Sequence, residues 1–207
     1  MKAFHGSQQI KDKYVNRMQQ HIDADELIKG EGWSNGKGCA VGCTLNSYNH
    51  KLYETEIGVP EWVAHLNDVL HENTSDEIWP TLQLRFLKSV KPGITFNEIK
   101  KNINIFVQRR NLDRVNKLNI SFELKNEIIT AIEKVIDFLV TESAAESAAG
   151  SAVQWATELN AESAAESARY AAESARYAAE SAAESAAEYD VIANEFIRLI
   201  KLTKVNQ

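Results

Sequence analysis

The sequence predicts an all-α fold, and three features of the 207-residue chain point to it. In most segments apolar residues recur every three or four positions, which is typical of amphipathic helices, and no two segments alternate convincingly as paired strands would. Only three prolines interrupt the chain. Its second part is rich in alanine, the residue with the highest helix propensity. We therefore expect an N-terminal helical domain followed by a long alanine-rich helix or helical hairpin.

The first predicted helix covers residues 8–28. Ser7 supplies a side-chain oxygen suited to an N-cap, and Gly30 is suited to follow the last turn. Residues 29–38 are rich in glycine and should form a loop. The apolar residues that support this helix are Ile10, Tyr14, Met18, Ile22 and Leu27.

Four further helices are predicted in order. One begins near Pro60, which fits a first helical turn, and a second covers residues 75–90 before the breaker at residues 91–93. A third follows the capping-box sequence of residues 95–98, and a fourth begins at Ser121. The apolar faces that define them are Val59, Val63, Leu66 and Leu70; Ile99, Ile103, Phe106 and Val107; and Leu124, Ile128, Ile132, Val135 and Leu139.

A change of composition near Thr141 divides the chain into a helical domain at residues 1–140, with a candidate ligand pocket, and an Ala/Ser/Glu-repeat segment at residues 141–207. Glutamates at positions 166, 173, 180 and 184 span eighteen residues, which is five helical turns, so they share one face. An unbroken helix over residues 161–202 would be roughly 60 Å long. We expect it to pack against another copy in a homo-oligomer; a solvated spacer helix is the alternative. Its end, VIANEFIRLIKL, should dock on an apolar surface.

Charge and targeting signals limit the function classes. The net charge is −6 and the basic residues are scattered, which argues against a nucleic-acid-binding protein. No run of eighteen apolar residues predicts a membrane span, and the N-terminus does not read as a secretory signal. Two cysteines make no disulfide framework. We expect a cytoplasmic protein without a cofactor, located in the bacterial host cytoplasm if a phage encodes it.

Residues 35–44, NGKGCAVGCT, hold three of the nine glycines and both cysteines. Glycines beside Lys37 could bring backbone N–H groups close to an anion. The block matches neither the P-loop nor the dinucleotide-binding pattern, since no strand precedes it and no GK[ST] occurs. Two interpretations stay open, a contact to an anionic ligand and a tight turn that the backbone requires.

The two cysteines allow three interpretations. Cys39 and Cys43 are spaced to share a helical face, and with His50, and His65 or His71, they could bind zinc. Either cysteine could act with His50 as a nucleophile. We favour the third interpretation, in which both are small buried apolar residues, because zinc sites usually use tighter paired spacings.

Residues able to contact a small molecule are concentrated in this part of the chain. Their rings offer flat faces, and their amide, hydroxyl and ammonium groups offer hydrogen bonds, which is the mixture that a small-molecule pocket needs. His50 and Glu54 would also lie one turn apart if this stretch is helical. The predicted ligand-binding residues are Trp33, Asn35, Lys37, Gly38, Thr44, Asn46, Tyr48, His50, Tyr53 and Glu54.

The chain resembles a family of bacterial and phage-type proteins of uncharacterised function. The shared features are an opening of the MKAFH type, the block NGKGCAVGCT, an Ala/Ser-rich repeat after the helical domain, and His50, Tyr53–Glu54, Glu56 and Gly58-Val59-Pro60 downstream of the block. The resemblance covers most of residues 1–90. It implies a phage or mobile-element context and no established reaction.

Three functions are compatible with these features. We prefer a non-enzymatic binding protein that sequesters a small nucleotide-derived immune signal of the host, an anti-defence role. The first alternative is a metal-dependent hydrolase or Cys–His enzyme using Cys39 or Cys43 with His50 and Glu54. The second is a structural or protein-interaction module whose alanine-rich helix is the functional surface.

Overall fold

The computed structural model describes residues 1–141 and 186–205, and these are mostly helical, which confirms the all-α prediction. A short 3-10 turn, Ala3–Gly6, precedes the first helix, and a two-stranded hairpin follows it. In the described residues the helices are α1 (Gln8–Asp23), α2 (Ala40–Leu45), α3 (Leu52–Ile57), α4 (Glu61–Asn73), α5 (Trp79–Ser89), α6 (Asn97–Lys117), α7 (Phe122–Thr141) and α8 (Ala186–Leu202).

The first helix begins as predicted and ends five residues earlier than predicted. The hydroxyl of Ser7 accepts a hydrogen bond from the amide of Ile10, so Ser7 is the N-cap. The helix ends at Asp23 because Asp25 takes a left-handed conformation with φ 56°. Leu27 then forms an isolated parallel bridge with Gly38, which draws this segment out of the helix.

A short antiparallel hairpin lies between α1 and α2, where we predicted a loop and no strand pair. Strand β1 (Trp33–Ser34) pairs with β2 (Lys37–Gly38) through the two-residue turn Asn35–Gly36. Both turn residues have positive φ, 50° and 84°, as the tight hairpin turn favoured by an Asn-Gly sequence requires. The strands are too short to show an alternating pattern.

The chain divides into two compact units, and the first comprises Met1–Lys100 and Ser185–Gln207. In this unit α1 packs on α5 and α2, while α4 packs on α5, α2 and α3. The core between these helices is apolar and aromatic. Its largest fully buried side chains include Tyr14, Tyr53, Phe4, Phe86, Phe96 and Phe196.

Helix α8 docks on α4 and α5, which confirms that the end of the chain's alanine-rich part binds an apolar surface. The ring of Phe196 stacks on Phe86 at 5.8 Å between centroids and lies 6.3 Å from Trp62. At the polar edge of α8, the Asp190 carboxylate accepts a hydrogen bond from the Ser75 amide at 2.9 Å. The buried face of α8 consists of Ala193, Phe196, Ile197 and Ile200.

Lysine ammonium groups close the C-terminal ends of three helices in this unit. Lys11 Nζ donates to carbonyls at the end of α5, and Lys29 Nζ donates to the Thr74 carbonyl after α4 at 2.7 Å. Lys91 Nζ reaches the carbonyl of Thr203 after α8 at 3.2 Å. Carbonyls at these ends lack partners within the helix and carry partial negative charge, so each lysine stabilises a helix end.

The N-terminal turn packs against Gly58, a position where only glycine leaves room for it. Phe4 and His5 both have φ 50°, a left-handed conformation that costs non-glycine residues free energy. The buried Phe4 ring and the hydrogen bond from the Ala3 amide to Ile94 O at 2.9 Å hold the turn in place. A Cβ on Gly58 would lie 2.3 Å from the Lys2 carbonyl oxygen, so only glycine fits beside the turn.

The second unit is Lys101–Glu184, and its described part contains most of α6 together with α7. Lys101 Nζ donates to the Val140 carbonyl at 3.3 Å, and Lys125 Nζ donates to the Asn116 carbonyl at 3.2 Å. These contacts join opposite ends of the two helices, so α6 and α7 run antiparallel. Several apolar residues of α7 face solvent, including Phe122, which is 73% exposed.

The repeat itself lies at residues 142–185, outside the described residues. The domain boundary at residue 140, the choice between one alanine-rich helix and a hairpin, and the homo-oligomer therefore stay predictions.

Replacing Phe196 by Ala should lower the free energy of unfolding by about 3–5 kcal/mol, because the ring is 1% exposed and its loss leaves a cavity between α4, α5 and α8. Urea denaturation followed by tryptophan fluorescence measures this. Val191→Ala is the matched control on the same helix, where the side chain is 39% exposed. Equal small losses in both variants would contradict the docking of α8.

A second prediction concerns His71, whose Nε2 donates to the Ile28 carbonyl at 2.8 Å and whose ring meets Trp79 edge-on. Burial lowers its pKa below the usual value, although the hydrogen bond to Ile28 and nearby Glu72 and Asp68 oppose the shift. Below about pH 6.5 the unfolded chain gains a proton at this histidine that the folded chain resists. The folded state should therefore lose stability as the pH falls.

Comparing wild type with His71→Gln isolates this contribution, since glutamine can still donate to a carbonyl and does not titrate. Urea midpoints between pH 5 and 8 should fall more steeply with acid for wild type than for the variant. Parallel curves for the two proteins would contradict the assignment.

Candidate functional site

The glycines of residues 35–44 are required by a close crossing of two backbone segments. A Cβ on Gly42 would lie 1.9 Å from the Gly32 carbonyl oxygen, and one on Gly38 would lie 2.3 Å from it. The Cys39 amide donates to the Gly32 carbonyl at 3.2 Å. Contacts this close exclude any side chain at Gly38 or Gly42 without movement of the backbone. They support the interpretation of the block as a structurally required turn.

The two cysteines lie at the start of α2 in separate surroundings. Cys39 is the N-cap, and its Sγ accepts a hydrogen bond from the Gly42 amide at 3.5 Å. The thiol of Cys43 donates to the Gly38 carbonyl at 3.3 Å. Burial raises the pKa of both thiols to about 12; the Asp68 carboxylate adds to the shift at Cys39, and the charge of Glu26 adds to it at Cys43. Both side chains are therefore protonated at neutral pH, as the apolar interpretation expects.

Two of the predicted ligand-binding residues lie in the core. Thr44 and Tyr53 are 0% exposed, and Gln83 Nε2 donates at 2.8 Å to the hydroxyl oxygen of each. Burial raises the pKa of Tyr53 to about 12. This network satisfies polar groups between α2, α3 and α5, which fixes how those helices pack. A ligand contact at Thr44 or Tyr53 stays a prediction.

The hairpin residues form a second group around His21. The Trp33 ring meets the His21 ring edge-on at 5.5 Å, and the Asn46 side chain lies 2.9 Å from His21 Nε2. Asn35 and Lys37 are exposed on the turn, where Lys37 Nζ lies 3.4 Å from a backbone carbonyl of the preceding loop.

A third group, which we call the histidine cluster, consists of Tyr48, His50, His65 and Asp68. The imidazole rings of His50 and His65 stack with centroids 4.1 Å apart and an angle of 8° between planes. The Tyr48 hydroxyl donates to Asp68 Oδ2 at 2.7 Å, and His50 Nε2 lies 3.4 Å from the same oxygen. The cluster thus joins the loop between α2 and α3 to one face of α4.

The residues of the histidine cluster differ in how much of each side chain is exposed to solvent. The side chains of His50 and Asp68 are 14% and 17% exposed, whereas His65 is 59% exposed. Glu61 Oε1 lies 3.7 Å from His65 Nε2, so the rim of the cluster is acidic. The hydrogen bond to Asp68 raises the pKa of Tyr48 to about 12, which keeps its hydroxyl protonated as a donor.

His50 does not share a helical turn with Glu54, because α3 begins only at Leu52. Glu54 Oε1 instead accepts a hydrogen bond from the Glu61 amide at the start of α4, at 3.2 Å. We did not assign His65 and Asp68 to the ligand site from the sequence. The sequence does place His65 and Asp68 three positions apart, and therefore on one face of a predicted helix. It contains no feature that connects this face with Tyr48 and His50.

Within residues 1–141 and 186–205, no three or more His, Cys, Asp or Glu side chains are grouped so that they could hold a metal ion. No helix in those ranges is long and apolar enough to cross a membrane. Comparisons with known protein families, curated proteins and solved structures gave no significant match.

The cysteine environments predict that neither thiol reacts readily in the folded protein. At pH 8 a pKa of about 12 leaves a thiolate fraction on the order of 10⁻⁴. Reaction with a chromogenic disulfide reagent should be at least roughly 100-fold slower in the native protein than in urea. Cys39→Ala and Cys43→Ala variants assign any signal, and rapid native labelling of either thiol would restore the Cys–His alternative.

Proposed function

We propose that this chain is a non-enzymatic protein that binds a small nucleotide-derived ligand at the histidine cluster. The observation that carries the proposal is the stacked pair of His50 and His65, in which the outer ring, His65, is 59% exposed and the inner ring, His50, lies beside the Asp68 carboxylate. A flat heterocycle can extend such a stack, and base–aromatic stacking contributes about 1–3 kcal/mol per base. The carboxylate beside the rings supplies a polar group that fixes the orientation of the ligand.

Binding is preferred to catalysis because of the state of the cysteines. The Cys–His alternative needs a reactive thiolate, and Cys39 is 1% exposed with its pKa raised to about 12 by burial and by a hydrogen bond to Asp68. The metal-dependent alternative needs Glu54 beside His50, whereas Glu54 contacts the start of α4 and His50 contacts Asp68.

The biological role that we propose combines this site with the resemblance of residues 1–90 to bacterial and phage-type proteins. Sequestration of a nucleotide-derived host immune signal in the bacterial cytoplasm is the role that fits both. Assembly of several copies through residues 141–207 would multiply the number of sites per particle.

A protein-interaction module is the second candidate, and the exposed apolar residues of α7 favour it. Val135 and Phe138, three positions apart on α7, are 45% and 55% exposed, and neighbouring exposed apolar side chains mark interaction surfaces. This function would leave the histidine cluster without a ligand.

Isothermal titration against nucleosides, nucleotides, cyclic nucleotides and ADP-ribose derivatives tests the proposal. At least one compound should bind wild type, and His65→Ala should weaken that binding about tenfold through the lost stacking face. Asn73→Ala, an exposed site two turns further along α4, is the matched control and should bind as wild type does. No binding by any compound to a folded sample would refute the proposal and favour the interaction module.

A further inference from the structure

Helix α7 carries a line of apolar side chains that faces solvent. Val135 and Phe138 are 45% and 55% exposed, and Ala131 is also exposed. Together with the half-buried Leu124, these residues recur at spacings of seven, four and three, which places them along one face of the helix. We call Leu124, Ala131, Val135 and Phe138 the α7 stripe.

The α7 stripe is separate from the side of α7 that faces α6. Lys125 Nζ donates to the Asn116 carbonyl of α6 at 3.2 Å, which marks the side toward α6. Ile132 and Leu139 follow Lys125 by seven and fourteen residues, so they lie on this side, and both are half-buried. The α7 stripe lies about a quarter of a turn away. Helix α7 thus has a second apolar face, and removing that face from water would be favourable.

Two opposite charges border the α7 stripe on the side away from α6. Glu127 and Lys134 are both exposed and lie seven residues apart, so they stand in line along the helix. In a pair of packed helices, charged side chains at such flanking positions form ion pairs across the interface and decide orientation and register. The α7 stripe therefore has the arrangement of a helix-pairing surface, with an apolar centre and charges along one edge.

We propose that the α7 stripe is an interface between two copies of this chain, in which the two α7 helices pack antiparallel. A two-fold axis makes every contact occur twice, so the surface must complement itself. In one register Ala131 of each copy lies opposite Ile128 of the other, and Val135 lies opposite Leu124. The small side chain of Ala131 leaves room for Ile128, as close packing between helices requires. This pairing is independent of the ligand proposed for the histidine cluster.

The charges select this register and the antiparallel direction. The register places Glu127 of each copy beside Lys134 of the other, which gives two opposite-charge pairs. A shift by seven residues places Lys134 beside the same residue of the second copy, and the reverse shift does so for Glu127, so both shifts oppose like charges. A parallel pair would instead place Glu127 beside Ile132 and Lys134 beside Leu139.

The chain's own repeat, residues 142–185, is the other candidate occupant of the α7 stripe. The sequence of this segment contains eight glutamates and two arginines. Helix α7 is itself acidic on its exposed surface, where Glu123, Glu127, Glu133 and Asp137 stand beside one exposed lysine. The excess of negative charge in the repeat would be repelled by that surface. A second copy instead brings Lys134 to Glu127, so charge favours the second copy.

Sedimentation equilibrium of the full chain measures the pairing. Wild type should dimerise, and Val135→Glu should weaken the dimer at least roughly 100-fold, because it places a charge in the apolar centre twice. Val140→Glu is the matched control, since Val140 is 48% exposed on the opposite side of α7 and its replacement should leave the dimer unchanged. Circular dichroism checks that both variants fold. A wild type that stays monomeric at roughly 100 µM, or equal effects of the two variants, would overturn the inference.

Charge reversal tests the direction and register of the pair. Glu127→Lys and Lys134→Glu should each weaken self-association about tenfold, because each variant opposes like charges at two places. An equimolar mixture of the two variants should associate about as tightly as wild type, since each copy then meets its opposite charge. Recovery on mixing would support antiparallel α7 helices. Self-association that neither variant changes, or a loss that mixing does not restore, would overturn the inference and point to the repeat as the occupant or as the assembly surface.

Discussion

The contact between the Gly32 carbonyl and the start of α2 is the constraint on which the candidate site depends. Gly38 and Gly42 leave room for that carbonyl, while the opposite side of Gly32 carries the Tyr48 ring, 2.6 Å from where a Cβ of Gly32 would lie. At Gly32, Gly38 and Gly42 no side chain separates the backbone of the segment before β1 from the start of α2 or from the Tyr48 ring. Any added atom would separate these segments and move Tyr48 away from Asp68. The glycines support the histidine cluster indirectly, by leaving room for the backbone contacts beside Tyr48.

The sequence predicted what depends on local periodicity. Apolar residues at helical spacing predicted helices α4, α5 and α7 and the docking of α8, because a helix that buries one face carries apolar residues at that spacing. The early end of α1 was missed because it results from Leu27 pairing with Gly38, a contact between segments. The hairpin was missed because two-residue strands have no measurable alternation, although Asn35–Gly36 is a known turn signal.

The candidate site was predicted only in part, for a related reason. The sequence identified Tyr48 and His50 among ten residues in one stretch, and the structure separates that stretch into core, hairpin and cluster positions. Thr44 and Tyr53 point inward to Gln83, whereas Tyr48 and His50 meet Asp68, which lies eighteen residues after His50. Closeness along the chain does not determine the direction of a side chain. The structure also changes the expected chemistry of the site. The exposed edge of the histidine cluster carries Glu61, whereas Lys37, which we expected to contact an anion, lies on the hairpin.

Helix α8 completes a unit whose other helices are synthesised much earlier. It begins almost a hundred residues after α5 ends, yet Phe196 fills the space between Trp62 and Phe86. At a translation rate of about 5–20 residues per second, the surface that receives α8 is exposed on the ribosome for roughly 5–20 seconds. During that interval the apolar surface that later receives α8 is exposed to solvent. The first unit is therefore complete only after the intervening repeat has been synthesised.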